Sequence, residues 1–140
     1  MPAIEILRPA LLLAGWTVVM TVWMIVSRVQ AMTKAGIDAQ QAQDTSRLTD
    51  LLPHEVQKIA HNYNHLFEQP TLFYAVALMI AVLGHVDAMH VNCAWAFAIL
   101  RIVHSCVQTT IDVVMVRFGF FVLSWLALAT MILREVLAAF

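Results

Sequence analysis

Leu100-Arg101-Ile102-Val103-His104-Ser105-Cys106-Val107-Gln108 sets an arginine, a histidine and an amide inside an apolar run. A charged residue at the centre of a bilayer costs roughly 2.5–3.5 kcal/mol on insertion scales, so it is tolerated where it faces protein or a wet cavity. Arg101, His104, Gln108 and Asp112 follow one another at i, i+3, i+7 and i+11, which is one stripe of a helix. Ile102, Val103, Val107 and Ile111 remain for lipid or neighbouring helices. The stretch therefore calls for a helical bundle that closes over it. A second polar stretch, His61 to Gln69, runs into an apolar segment at Pro70 and places His61, Asn64, His65 and Glu68 on another stripe.

Composition agrees with a bilayer setting. Of the 140 residues, 61% are hydrophobic and 12% charged, and mean hydropathy is +0.79. Soluble domains are typically about 45–50% apolar and about 25% charged. A net charge of −1 supplies no basic field for nucleic acid, so that partner class is excluded. Cys93 and Cys106 stand thirteen positions apart on one expected helix. That is about 20 Å of rise, too far for an intrachain disulfide.

The apolar runs predict an all-α, four-helix integral membrane bundle forming a single domain over residues 1–140. The expected spans are about 9–32, 54–83, 92–116 and 118–137. Each is long enough to cross about 30 Å of hydrocarbon. The first run is too long for a signal-peptide core and lacks a small-residue cleavage site, so it reads as a retained span. Pro9 suits a first helical turn, Pro70 should kink the second span, and Gly84 suits its C-terminus. Residues 34–53 form the one long polar linker. With its flanks this linker carries Arg28, Lys34, Arg47 and Lys58, and the last turn carries Arg117. The opposite side has Arg8 and Arg134. Positive residues favour the cytoplasm, which places both termini on the non-cytoplasmic side of a multi-pass protein.

Folding spans two and three about a turn centred near Asp87 puts Glu68 opposite the His104–Gln108 level, Asn64 near Asp112 and His61 near Arg117. The two stripes then form the walls of one site. The plainer alternative is a buried Glu68–Arg101 ion pair that only fastens two helices. His61, His65 and Glu68 make a weak metal-ligand pattern, without an HExxH arrangement, so no metal is assigned.

These residues resemble the MAPEG family, the membrane-associated proteins of eicosanoid and glutathione metabolism, in a bacterial-type member. Asn64-His65-Leu66-Phe67-Glu68-Gln69-Pro70-Thr71-Leu72-Phe73 is similar to the family's Asn…Glu…Pro…Phe signature. Arg101, His104 and Arg117 resemble the Arg-x-x-His frame and the later Arg of helix three in one member, microsomal prostaglandin E synthase, and Arg28 resembles the family's glutathione-contacting Arg. The resemblance implies a homotrimer in a bacterial inner membrane, surrounded by lipid, with glutathione sites between subunits that open toward the cytoplasm. It implies that Arg28, Asn64, Glu68, Arg101, His104 and Gln108 hold glutathione while Arg117 stabilises its thiolate against lipophilic electrophiles or hydroperoxides. The chain departs from the pattern at Gln108, where a Tyr stands in the prostaglandin synthase, and at Phe118, which is not a hydroxyl residue. Asp112 adds a negative charge beside any bound carboxylate. Two other readings stay open: a non-catalytic protein of the same fold that binds another small molecule or lipid, and a proton-coupled carrier. The carrier reading is disfavoured by small size and the lack of inverted repeats.

Overall fold

The computed structural model describes residues 1–38, 40, 48 and 51–140. Arg47, one of the linker's positive charges, lies outside the described residues. The architecture is helical throughout the described residues. In order come α1 (Ile4–Ala35), α2 (His54–Leu66), α3 (Gln69–Leu83), α4 (Ala88–Thr109) and α5 (Val114–Ala139). Taken with α2 and α3 as one crossing, four helical stretches are long and apolar enough to span a bilayer. The protein is an integral, multi-pass four-helix membrane bundle.

The second crossing is broken, not merely kinked. In a continuous helix the Pro70 ring would collide with the Leu66 carbonyl and donate no hydrogen bond to it. The chain answers by ending α2 at Leu66, turning at Glu68 (φ −89°, ψ −97°), and starting α3 with Pro70 in its first turn. There the missing N–H costs little. Phe67 N–H closes the end of α2 onto Asn64 O at 3.0 Å. Gly84, at φ +73°, ends α3 in the left-handed conformation and donates back to Ile80 and Ala81 carbonyls.

Two boundaries differ from the sequence reading. The first helix starts at Ile4, so Pro9 lies inside it instead of at its start. Glu5 in the first turn, which favours the positive helix end, and the fully buried Ile6 support the added turn. The third crossing ends at Thr109, well short of Val116. Asp112 adopts φ +47°, the only left-handed non-glycine residue among those described, and reverses the chain before Val114. Arg117 therefore belongs to the first turn of α5 and not to the end of the preceding helix.

Lipid tails are as apolar as leucine, so helices in a bilayer associate through close packing and polar contacts. Small residues permit it: Ala77 on α3 and Ala94 and Ala98 on α4 are fully buried. Phe73 and Phe97 stack between α3 and α4 with ring centroids 4.3 Å apart. Leu128 and Met131 of α5, with Leu13 and Met20 of α1, complete the core. The outer faces of α1 and α5 expose Leu11, Val18, Val22, Leu126 and Leu133, as lipid contact requires.

At one end of the bundle the Met1 ammonium donates to Val86 O at 2.8 Å. Beside it Asp87 caps α4 by accepting from the His90 backbone N–H at 2.8 Å, and it pairs with Arg134 of α5. The His90 N–H bond, with the nearby His90 and Arg134 charges, holds the Asp87 carboxyl below its ordinary value of 3.8. Its folded-state value lies below the unfolded one, so its stabilisation is present at neutral pH and is lost as pH falls below about 4. Asp87→Ala should cost about 1 kcal/mol at neutral pH, as N-cap removals do, with a smaller difference in acid. Asp87→Asn should retain most of the cap. Thermal midpoints of the three proteins at pH 7 and pH 3 check this, and an Ala variant as stable as wild type at pH 7 would refute it.

Candidate functional site

A ladder of polar side chains runs through the bundle interior. Arg101, His104, Ser105, Gln108 and Thr109 form the buried face of α4, with Arg101 only 1% exposed. Arg101 donates to Gln69 Oε1 at 3.1 Å and to the His65 carbonyl at 2.9 Å. The α2–α3 break explains the second bond: with no helix continuing past Leu66, the His65 carbonyl has no N–H four residues on to accept from. The Ser124 hydroxyl of α5 lies 3.2 Å from the same Gln69 oxygen. One turn along α4, Ser105 Oγ accepts from Asn62 Nδ2 at 2.6 Å and Trp16 Nε1 at 3.0 Å, tying three helices together. Lys58 Nζ closes the ladder on Thr110 O at 2.9 Å and Glu55 at 2.5 Å.

This arrangement differs both from the expected facing of Glu68, Asn64 and His61 and from the plainer ion-pair alternative. No Glu68–Arg101 ion pair forms among the described residues: Glu68 is exposed and lies 2.9 Å from His65 Nδ1. His61 and Asn64 are also exposed, while Asn62 and Gln69 point inward. The register against α4 is shifted too: Lys58 meets Thr110, and it is His54, not Asn64, that lies beside Asp112. The Gly84 cap centres the turn before Asp87, and each residue of turn displacement moves the facing partner by about two positions. The inward amides had a legible signal. Ile59, Asn62, Leu66 and Gln69 fall at i, i+3, i+7 and i+10, and the apolar members mark the face that packs.

Arg28 sits elsewhere. Between α1 and α2 an open cleft of about 240 Å³ is lined by Met24, Arg28, Ala60, Tyr63 and Asn64. Arg28 Nε is buried with no hydrogen-bond partner among the described residues. Arg28 and Asn64 share one cleft, but Arg101, His104 and Gln108 are buried on the inner face of α4 and do not line it. His65 touches the interior set: its backbone carbonyl accepts from Arg101, and its ring meets the His104 ring edge-on at 6.1 Å.

Arg117 occupies a third place, at the linker end of the bundle. It donates to Asp112 Oδ1 at 2.6 Å, and His54 Nε2 lies 3.5 Å from the other carboxylate oxygen. Ten residues of α2 separate His54 from Asn64, about 15 Å of helix rise, so one chain keeps Arg117 and Arg28 apart.

Chemically, the cleft offers a guanidinium whose Nε has no hydrogen-bond partner among the described residues, an amide and a phenol beside apolar walls. Such a set can hold the carboxylate of an amphiphilic or peptide-like ligand. Neither a curated protein nor a solved structure matches the chain. The MAPEG family model matches residues 6–137, nearly the whole length. Four membrane crossings, a polar stripe buried in the third and a match of that extent lead to one conclusion: the chain belongs to the MAPEG family.

Proposed function

We propose that this protein binds glutathione and uses it on lipophilic electrophiles or hydroperoxides, as a membrane transferase or peroxidase. The observation that carries the reading is Arg28, a guanidinium whose buried Nε has no partner among the described residues, in a cleft that also presents Asn64. A buried guanidinium N–H without a partner is costly, and an anionic ligand group would offset the cost. Bound glutathione would supply a thiol nucleophile. Arg28 and Asn64 would hold a carboxylate arm, and the exposed Glu68 would accept the ammonium. Arg101 lies beneath, where it holds the His65 carbonyl, with His104 against the His65 ring and Gln108 farther along the buried face of α4. Arg117 would face the thiol, and a neighbouring guanidinium favours a thiol's anionic form.

A cleft of about 240 Å³ falls short of the roughly 300–1,000 Å³ that small-molecule pockets occupy. It suits one arm of the ligand, and a homotrimer would supply the remaining wall from a neighbouring subunit. The linker side, with Arg28, Lys34, Lys58 and Arg117, would face the cytoplasm.

Titration calorimetry of the detergent-purified protein tests this. Wild type should bind glutathione, and Arg28→Ala should weaken binding about tenfold, near the lower end for a charge-assisted contact. No heat and no thermal shift at millimolar glutathione would end the proposal. A non-catalytic binder of the same fold is the second reading, favoured by one observation: Arg117 is already paired with Asp112. Binding without turnover of model electrophiles would select it.

A further inference from the structure

The turn between α4 and α5 holds a carboxylate in a fixed place against the arginine that the proposed chemistry needs. Asp112 takes the left-handed conformation, φ +47°, which Asp and Asn accept more readily than other side chains. Its backbone N–H is anchored to Val107 O at 2.9 Å. The carboxylate is then gripped from two sides, by Arg117 NH1 at 2.6 Å on one oxygen and by His54 at 3.5 Å from the other. Both members of the Arg117–Asp112 pair are mostly shielded, with side chains 27% and 23% exposed. Solvent therefore screens the pair less than it would a fully exposed one.

Two opposite charges in contact present a dipole to any third group, in place of the field of a free cation. An anionic ligand arriving at Arg117 meets a guanidinium whose charge is already matched, and beside it a like charge that repels it. Among the described residues Asp112 engages NH1 alone, which leaves the other guanidinium N–H groups for such a ligand.

We propose that Asp112 is a built-in countercharge that masks Arg117 and sets how tightly this end of the bundle takes an anionic thiol ligand. It is a positioning and specificity residue, acting through Arg117. The masking follows from the ion pair itself; the identity of the ligand rests on the glutathione reading above.

Asp112→Asn isolates the charge. Asn tolerates the same backbone conformation and keeps an oxygen that can accept from Arg117, so the turn and the contact survive while the negative charge is lost. Two readouts are taken on the full-length detergent-purified protein: glutathione affinity by calorimetry, and the rate at which phenylglyoxal modifies Arg117, followed by mass spectrometry without any ligand. Asp112→Asn should bind glutathione about tenfold more tightly and should modify several-fold faster at Arg117, with an unchanged thermal midpoint. Equal or weaker binding together with an equal modification rate overturns the proposal. If neither protein binds glutathione but Arg117 reacts faster in the variant, the countercharge stands and the glutathione reading falls. Should Asp112→Asn fail to fold, Asp112→Gly removes the carboxylate while suiting the left-handed backbone, and the same two readouts apply.

Discussion

Arg101→Ala should lower the stability of the detergent-solubilised protein by about 3 kcal/mol, among the largest effects expected of single changes in the bundle. The guanidinium makes two hydrogen bonds, to Gln69 and to the His65 carbonyl. Bonds to a charged donor are worth about 1.5–3 kcal/mol each. Their loss leaves two acceptors stranded, and the truncated side chain leaves a void at a cost of about 24 cal/mol per Å³. Against this, the variant no longer keeps a cation out of water, a relief of roughly 2.5–3.5 kcal/mol on insertion scales. The balance remains clearly destabilising because the His65 carbonyl lies at the helix break and has no helical N–H to return to. Arg101→Met restores most of the volume and should lose only about half as much. Combining it with Gln69→Leu should recover more, since a well-packed apolar replacement of a whole buried polar network is often neutral. Unfolding in mixed micelles with increasing dodecyl sulfate measures all three. An Arg101→Ala protein within about 0.5 kcal/mol of wild type would show that the network fastens nothing.

Phe97→Ala should cost nearly as much, about 3 kcal/mol, for a different reason. Phe97 is fully buried and stacks on Phe73 at 4.3 Å. In water such a truncation would forfeit transfer free energy, but in a bilayer the unpacked ring would still rest in hydrocarbon. What is lost is packing. Removing about 100 Å³ at about 24 cal/mol per Å³ gives about 2.4 kcal/mol, and the aromatic pair adds about 0.5–1.5 kcal/mol. The contrast is Leu126, 59% exposed on α5: Leu126→Ala should change stability by less than about 0.5 kcal/mol. The same unfolding assay separates them, and equal losses at the two positions would refute the claim that interior packing, not apolarity, holds α3 to α4.

The membrane class, the four crossings and the inward stripe of Arg101, His104 and Gln108 were legible from sequence. Hydropathy over some twenty residues and the expense of a charge in hydrocarbon are properties of local sequence, and they leave α4 only one way to turn. Gly84 was equally plain, because a left-handed helix end needs a residue without a Cβ. The face of α2 was less plain, although the apolar Ile59 and Leu66 of one stripe point to it. Its two candidate stripes, His61-Asn64-His65-Glu68 and Ile59-Asn62-Leu66-Gln69, are both helical in spacing and both carry polar groups.

Periodicity says which residues share a face; it does not say toward which neighbour that face turns. Packing of Ile59 and Leu66 into the core chose the second stripe, sent Asn62 to Ser105 and Gln69 to Arg101, and left Asn64 and Glu68 outside. The left-handed turn at Asp112 likewise moved Arg117 onto α5, beside the carboxylate that neutralises it. The sequence alone determined that polar side chains must be shielded within this membrane bundle. Only the tertiary structure decided which of them meet, because the rotation of one helix against the next is set by contacts between residues far apart in the chain.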